Sequence, residues 1–357
     1  MTCSLQEIGR LVKLADTPDL GSGAERRRGS TPRATTSYSL MDRVFLTWSL
    51  SCLAQANPPW KVSSSVSIEI ITSLSNPRIK AANSLREARE RRDSGLMIID
   101  GDEIARHAHA GGIECTELFI GDTADEMHRS LILDWQQLVP EIRINVVARP
   151  AMAKLQYGGR DEALIAIARQ PSPALETLDE RIVARGNASG SKCFLVLDRV
   201  EKPGNLGAVM RTADAAGVSA VLLSDPVSET WNPNAIRASL GALFRVPIAI
   251  GSARQVQRWL SERAVTMYAA RVNGEQSHTS IVYDASTAII VGNETDGLGR
   301  EWEPKSQDEA NGVQAIRIPM FGAIDSLNVS VSTSIVLYEY LRQQGRFKTP
   351  ESGSLAD

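Results

Sequence analysis

The sequence lacks the residue groupings that announce a metal site or a disulfide framework. Its four cysteines, Cys3, Cys52, Cys115 and Cys193, lie far apart among 357 residues with no C-x-x-C pair, and no histidine–cysteine grouping takes the place of one. That excludes a stapled secreted scaffold and a zinc module, and makes a reduced cytoplasm the expected compartment. The chain has no G-x-G-x-x-G fingerprint and no G-x-x-x-x-G-K-[ST] loop, so neither Rossmann dinucleotide binding nor P-loop hydrolysis is supported. No apolar run is long enough to span a bilayer. MDRVFLTWSLSCLAQA, residues 41–56, has the form of a signal-peptide core only if translation began at Met41. A large charge excess is absent too. A formal net charge of −3 rules out a uniform positive coat, so any nucleic-acid contact must come from a local basic patch.

What is present is ordinary globular material, 43% apolar and 23% charged, in a length that fits two domains with room for a tail. Residues 1–66, with AERRRGSTPRATTSYS, are rich in Ser, Thr, Arg and Pro without periodicity and read as a disordered extension. From residue 67 to 170 the pattern is that of one small α/β domain. Asn76-Pro77 marks a helix start, residues 78–92 alternate aliphatic and basic groups at helical spacing, GLMIID and CTELFIG read as strands, and GDEIARHAHAGG is a helix ended by glycines. Residues 126–138 read as another helix, and INVVA and ALIAIAR as two more strands. Residues 171–192 are a short helix and linker. Strands and helices then alternate from 193 to 346, which predicts a mostly parallel sheet covered on both faces, with a tail at 347–357.

Three strand ends in this second domain carry polar groups. In DRVEKPGNLGAVMRTADAAGV a strand ends at Asp198, and Asn205 stands where a helix N-cap belongs. Leu206, Val209, Met210, Ala213 and Gly217 share one helical face, and Arg211 points away beside small alanines. In AIIVGNETDGLGREW a β-branched strand runs out at Gly292, followed by Glu294 in a glycine-rich turn. In IPMFGAIDSLNVSVSTSIVLYEYL a strand ends at Ile318, Gly322 permits an unusual turn, and Ser326 and Asn328 flank Leu327. Each alone is an ordinary cap or solvated loop. In open α/β sheets ligands sit beyond the carboxyl ends of strands, and the three would converge if their strands are neighbours.

In order, PGNLGAVMRTADAAG, NPNAIRASLGALFRVP, VGNETDGLG and IPMFGAIDSLNVSVSTSIVLYE resemble the motifs of the SpoU (TrmH-like) branch of the SPOUT RNA methyltransferases, over residues 194 to about 343. NPRIK and RERRDSGLMIIDG are similar, less specifically, to the L30e-like substrate-binding domain that precedes the catalytic domain in many rRNA members. The resemblance implies an α/β fold with a carboxyl-terminal deep trefoil knot, a rare exception to the rule against knotted chains. It also implies a homodimer with its active site near the interface and S-adenosyl-L-methionine as cofactor. The cofactor would be held by backbone around Gly292, Ile318 and Leu327, and Asn205, Arg211, Glu294, Ser326 and Asn328 match the family's polar active-site positions. The implied reaction is ribose 2′-O-methylation of rRNA, with tRNA methylation or non-catalytic RNA binding as the alternatives. Family proposals make Arg211 the proton acceptor. A guanidinium is an unusual base, so positioning of a phosphate or of the 2′-oxygen is the physically simpler role. Arg78, Lys80, Arg86, Arg89, Arg91 and Arg92, against Glu87 and Glu90, form the expected RNA-docking face.

Overall fold

The computed structural model describes residues 68–159, 162–186, 192–293, 295–304, 312–324 and 326–347. The extension at 1–66, part of the linker, Glu294 and most of the tail lie outside the described residues. Short, largely buried apolar runs build the first sheet from β1 (Ile68–Ile71), β2 (Leu96–Asp100), β3 (Cys115–Ile120), β4 (Arg143–Val147) and β5 (Leu164–Arg169). Met97 and Ile99 of β2 enter one core while Ile98 enters another, as a period of two requires. The strand order is β1-β4-β3-β5-β2, with β5 antiparallel to both its neighbours and the remaining pairs parallel.

Five helices accompany this sheet: α1 (Pro77–Ser84), α2 (Ala88–Ser94), α3 (Asp102–Ala110), α4 (Glu126–Leu138) and α5 (Arg149–Leu155). The periodic stretch at 78–92 is two helices. The Asn76 side chain caps the first by accepting from Arg78 N at 2.8 Å, and a turn closed by Glu87 N and Ser84 O breaks the stretch.

The second sheet comprises β6 (Lys192–Asp198), β7 (Ala220–Ser224), β8 (Ile248–Gly251), β9 (Thr266–Ala270), β10 (Gln276–Ser277), β11 (Ser286–Val291) and β12 (Val313–Arg317). Every pairing in it is parallel. Its order is β10-β12-β9-β11-β6-β7-β8. The strand ends singled out in the sequence belong to β6, β11 and β12. The first two are adjacent, but β9 separates β12 from β11. Helices α6 (Leu178–Ala184), α7 (Pro203–Ala215), α8 (Pro233–Ala238), α9 (Ala253–Ser261) and α10 (Val329–Gln343) complete the domain. Leu206, Val209, Met210 and Ala213 of α7 are buried as the helical wheel predicts, and Gly217 is exposed with φ +66° just past the helix end. A Cβ at Gly207 would lie 2.4 Å from Ala238 Cβ, so this glycine lets α7 and α8 meet at backbone distance.

The two sheets share a core. One buried cluster runs from Met97, Ala105 and Ala108 through Leu243 and Phe244 to Leu195, Leu206 and Val336. Helix α8 packs on β2, covering what would be a bare sheet edge. Arg91, 2% exposed, is part of this junction. Its Nε donates to Glu229 Oε2 at 3.0 Å, its Nη2 meets the same carboxylate, and Nη1 donates to the Leu85 and Arg86 carbonyls at 2.8 and 2.7 Å. The Arg237 guanidinium lies 3.6 Å from the centroid of the Tyr157 ring, a second strut across the junction. Glu229→Ala leaves the Arg91 charge buried with only carbonyl acceptors. We expect it to lower the unfolding free energy by about 3 kcal/mol, read as a lower denaturant midpoint at unchanged slope.

Candidate active site

Three neighbouring strands, β12, β9 and β11, end on the same side of the sheet, and their carboxyl ends with the start of α10 enclose a cavity of about 550 Å³. That is within the range of small-molecule sites. Gly292, Ile318, Leu327 and Ser326 all line it, as do Ala270, Arg271 and Asn293. The three residues expected to offer backbone to a cofactor are thus together. Ile318 lies just beyond the end of β12 rather than inside the strand.

The loop after β11 is shaped by close contacts. A Cβ on Gly292 would sit 2.3 Å from the carbonyl carbon and oxygen of Gly297, a space only glycine fits. Asn293, nearly buried, accepts from the amides of Thr295 and Asp296 at 2.9 and 2.7 Å and donates to Glu201 Oε1 at 3.2 Å. The buried Asp198 accepts from Gly299 N at 2.9 Å and from Ser224 Oγ at 2.6 Å, tying the far end of the loop to β6 and β7. Arg199 Nη2 donates to Gly297 O at 3.1 Å. Glu294, within this loop, lies outside the described residues.

At the third strand end the expectation for Gly322 does not hold. Its φ is not positive and a Cβ there would meet open space, so the turn does not require glycine. Asn205 is also placed differently. Pro203 begins α7 and Lys202 occupies the cap position, so Asn205 lies in the first helical turn and is not the N-cap. Asn328 is the cap, of α10: its Oδ1 accepts from Ser330 N at 3.0 Å while its Nδ2 donates to Asn205 Oδ1 at 3.1 Å. One side chain thereby ends the third strand's loop, starts the last helix and ties it to α7. Thr212 and Ser334 hydroxyls, 3.2 Å apart, add a second tie between these helices. Arg211 is exposed on α7 and does not line the cavity.

The six basic residues of the amino-terminal domain divide. Arg91 is buried against Glu229 and cannot face RNA, which corrects the reading of a single basic face. Arg78 is held by Glu69 at 2.6 Å and Glu117 at 3.1 Å, and Arg86 by Asp100 at 3.1 Å, so both are committed within the fold. The burial came from the break between α1 and α2, which turns Arg91 inward. Lys80, Arg89 and Arg92 remain exposed, although Arg89 and Arg92 pair with Asp93 and Glu229. Hydrogen bonds from Arg78 and Asn76 hold the half-buried Glu69 carboxyl below its usual range.

Sequence reasoning missed Asp198's role, Asn293 and Arg271. Asp198 ends one motif strand and Asn293 follows another, and their side-chain oxygens shape the loop by accepting from its backbone amides, which no spacing reveals. Arg271 stands at the end of β9, whose position between β11 and β12 is a matter of strand order.

Residues 192–338 match the model of the SpoU rRNA methylase family, and residues 76–166 that of the MRM3-like substrate-binding domain. The 23S rRNA (guanosine-2′-O-)-methyltransferase RlmB of Bordetella pertussis is 33% identical over 203 residues, which are 57% of this chain and 79% of that protein. The enzyme of the same name from Xanthomonas axonopodis pv. citri is 37% identical over 158 residues, 44% of this chain; the chain spans 61% of that relative's length. Among solved structures, an RNA 2′-O ribose methyltransferase is 33% identical with a TM-score of 0.60, covering 77% of this chain and 99% of its own. An AdoMet-bound rRNA methyltransferase from Sinorhizobium meliloti is 26% identical with a TM-score of 0.65, covering 77% and 98%.

Proposed function

The chain belongs to the SpoU rRNA methylase family, and from that premise we propose that it transfers a methyl group from S-adenosylmethionine to a ribose 2′-hydroxyl of ribosomal RNA. The observation that carries this reading is the cavity that brings Gly292, Ile318, Leu327 and Ser326 together beside the Asn328–Asn205 pair. The lining fits the cofactor: backbone is open at the strand ends, and Arg271 Nε is a buried donor with no acceptor among the described residues. When bound, S-adenosylmethionine supplies a methyl group already activated on a sulfonium, which leaves alignment and proton removal to the protein.

In this reading the backbone at Gly292, Ile318 and Leu327 holds the cofactor. Asn205 and Asn328, fixed by their mutual hydrogen bond, orient the ribose or Arg211. Arg211 engages an RNA phosphate or the 2′-oxygen, Glu294 serves either to hold Arg211 or to stabilise the cationic cofactor, and Ser326 contacts RNA, cofactor or the neighbouring motif backbone. Of the six basic residues expected to face RNA, Lys80, Arg89 and Arg92 are exposed for phosphate contact.

The reading includes the family's deep knot and a homodimer. Phe321, 98% exposed, and Ile324, 70% exposed, together with exposed Val331, Tyr338 and Phe347, supply apolar area around α10 for a second copy. The expected compartment is the cytoplasm. Burial pushes the Cys115 and Cys193 thiols up, so neither is poised for oxidation. Among the described residues no helix is long and apolar enough to cross a membrane.

Labelled methyl transfer to separated rRNA and tRNA, followed by mapping of nuclease-resistant dinucleotides, tests the reading. Label at one 2′-O position of rRNA is the expected result. Label in tRNA alone would replace the substrate, and binding of RNA without transfer to either would overturn the enzyme reading.

A further inference from the structure

Among the described residues lining the cavity there is one cation, Arg271, and one anion, Asp296; the rest are neutral. Arg271 follows the last residue of β9, the strand that separates two of the motif-bearing strands. Its guanidinium is held at one corner, where Nη2 donates to Gly299 O at 2.9 Å. That bond fixes the head group against the glycine-rich loop. Its Nε is buried and has no acceptor among the described residues. A charged head group left short of acceptors is costly to bury, and in a residue that lines a cavity it is a place where an anionic ligand can approach the guanidinium and supply the missing charge.

The cofactor named above has one anionic group, the α-carboxylate of its amino-acid part. A guanidinium presents parallel N–H donors that match a carboxylate in both charge and shape, whereas hydroxyls and amides such as Ser326, Ser332 and Asn273 supply no compensating charge. We propose that Arg271 binds the α-carboxylate of S-adenosylmethionine, so that the cavity recognises the amino-acid tail by charge while the strand-end backbone recognises the nucleoside. The assignment rests on the methyltransferase reading and adds to it a cofactor-binding residue outside the three motif segments. It also gives Gly299 a function, since its carbonyl sets the direction of the guanidinium.

Titration calorimetry of the full chain tests this with two probes: S-adenosylhomocysteine and its decarboxylated analogue, which keeps the amine and the nucleoside. The wild-type chain is expected to bind the first about 10- to 100-fold more tightly than the second. In Arg271→Gln affinity for S-adenosylhomocysteine falls by that factor, affinity for the analogue is unchanged, and the preference disappears. Arg271→Lys, which restores the charge without the fork, recovers part of it. Equal affinity of the wild type for both probes overturns the assignment, as does an equal loss of both in Arg271→Gln, because the arginine would then only support the loop through Gly299. Failure of the wild-type chain to bind either probe is a different result: it removes the cofactor reading itself.

Discussion

Alanine at position 211 is expected to slow methyl transfer by about 10²–10³-fold, the loss seen when one charge-stabilising donor is removed from an active site, while affinity for the cofactor stays within about twofold. Stability should hardly change. Arg211 is exposed on α7, which is held by Leu206, Val209, Met210 and Ala213 beneath and by the close approach at Gly207. Removing a side chain from that outer face leaves the packing intact, so any effect on unfolding should lie within about 0.5 kcal/mol. The activity loss can therefore be assigned to chemistry. Arg211→Lys separates the two roles open to the residue. Near-normal turnover in the lysine variant means that charge and position are what the reaction needs. A loss as deep as that of alanine points to the guanidinium itself, through a bidentate contact or as proton acceptor. Single-turnover rates with saturating RNA, set beside cofactor binding, provide the measurement.

The second large effect is expected from Gly292→Ala. The added methyl group would meet Gly297 C and O at 2.3 Å and Leu298 N at 2.5 Å, all backbone atoms that cannot rotate away. The loop must move as a unit. Its anchors, Asp198 to Gly299 N and Asn293 to the amides of Thr295 and Asp296, resist that movement, so strain falls on the cavity wall. We expect cofactor affinity to fall at least about 100-fold and stability by about 2 kcal/mol, as for overpacking elsewhere in protein interiors. Gly322→Ala is the matched control: its Cβ enters open space, and both quantities should stay near wild type. Comparable losses in the two variants would show that the close approach at Gly292 does not shape the site.

These two glycines show where sequence reading reached and where it stopped. Both stand at strand ends within motifs, and nothing local distinguishes them. The difference comes from Gly297, five residues beyond Gly292, folding back on it. The buried face of α7 was legible because a period of 3.6 residues encodes it directly, and the strands were legible as short apolar, β-branched runs bounded by turn residues. Convergence of the motif segments was legible only as a condition, since it depends on strand order. The insertion of β9 between β11 and β12 brings Arg271 into the wall, and no pattern along the chain announces an insertion of that kind. Asn205 looked like a cap because it follows Pro-Gly, but Pro203 is itself well suited to open a helix, which moves the cap back to Lys202. The six basic residues misled for another reason. Charge counts do not record partners, and Glu229, which neutralises Arg91, comes 138 residues later.

The core that runs without interruption from Met97 to Val336 also bears on how the chain can be divided. The composition change after residue 170 invites a cut there, yet Leu243, Phe244 and Trp231 in the second half are covered in part by the first. A fragment starting at the second domain would present these side chains to water. It would be prone to self-association, whatever the quality of its own sheet. Exchange of the amino-terminal half for that of a relative meets the same difficulty: a donor without counterparts to Arg91, Tyr157 and the glycine at 111, where a Cβ would strike Phe244 O, would have no seat on this partner. The two halves are therefore constrained to diverge in step.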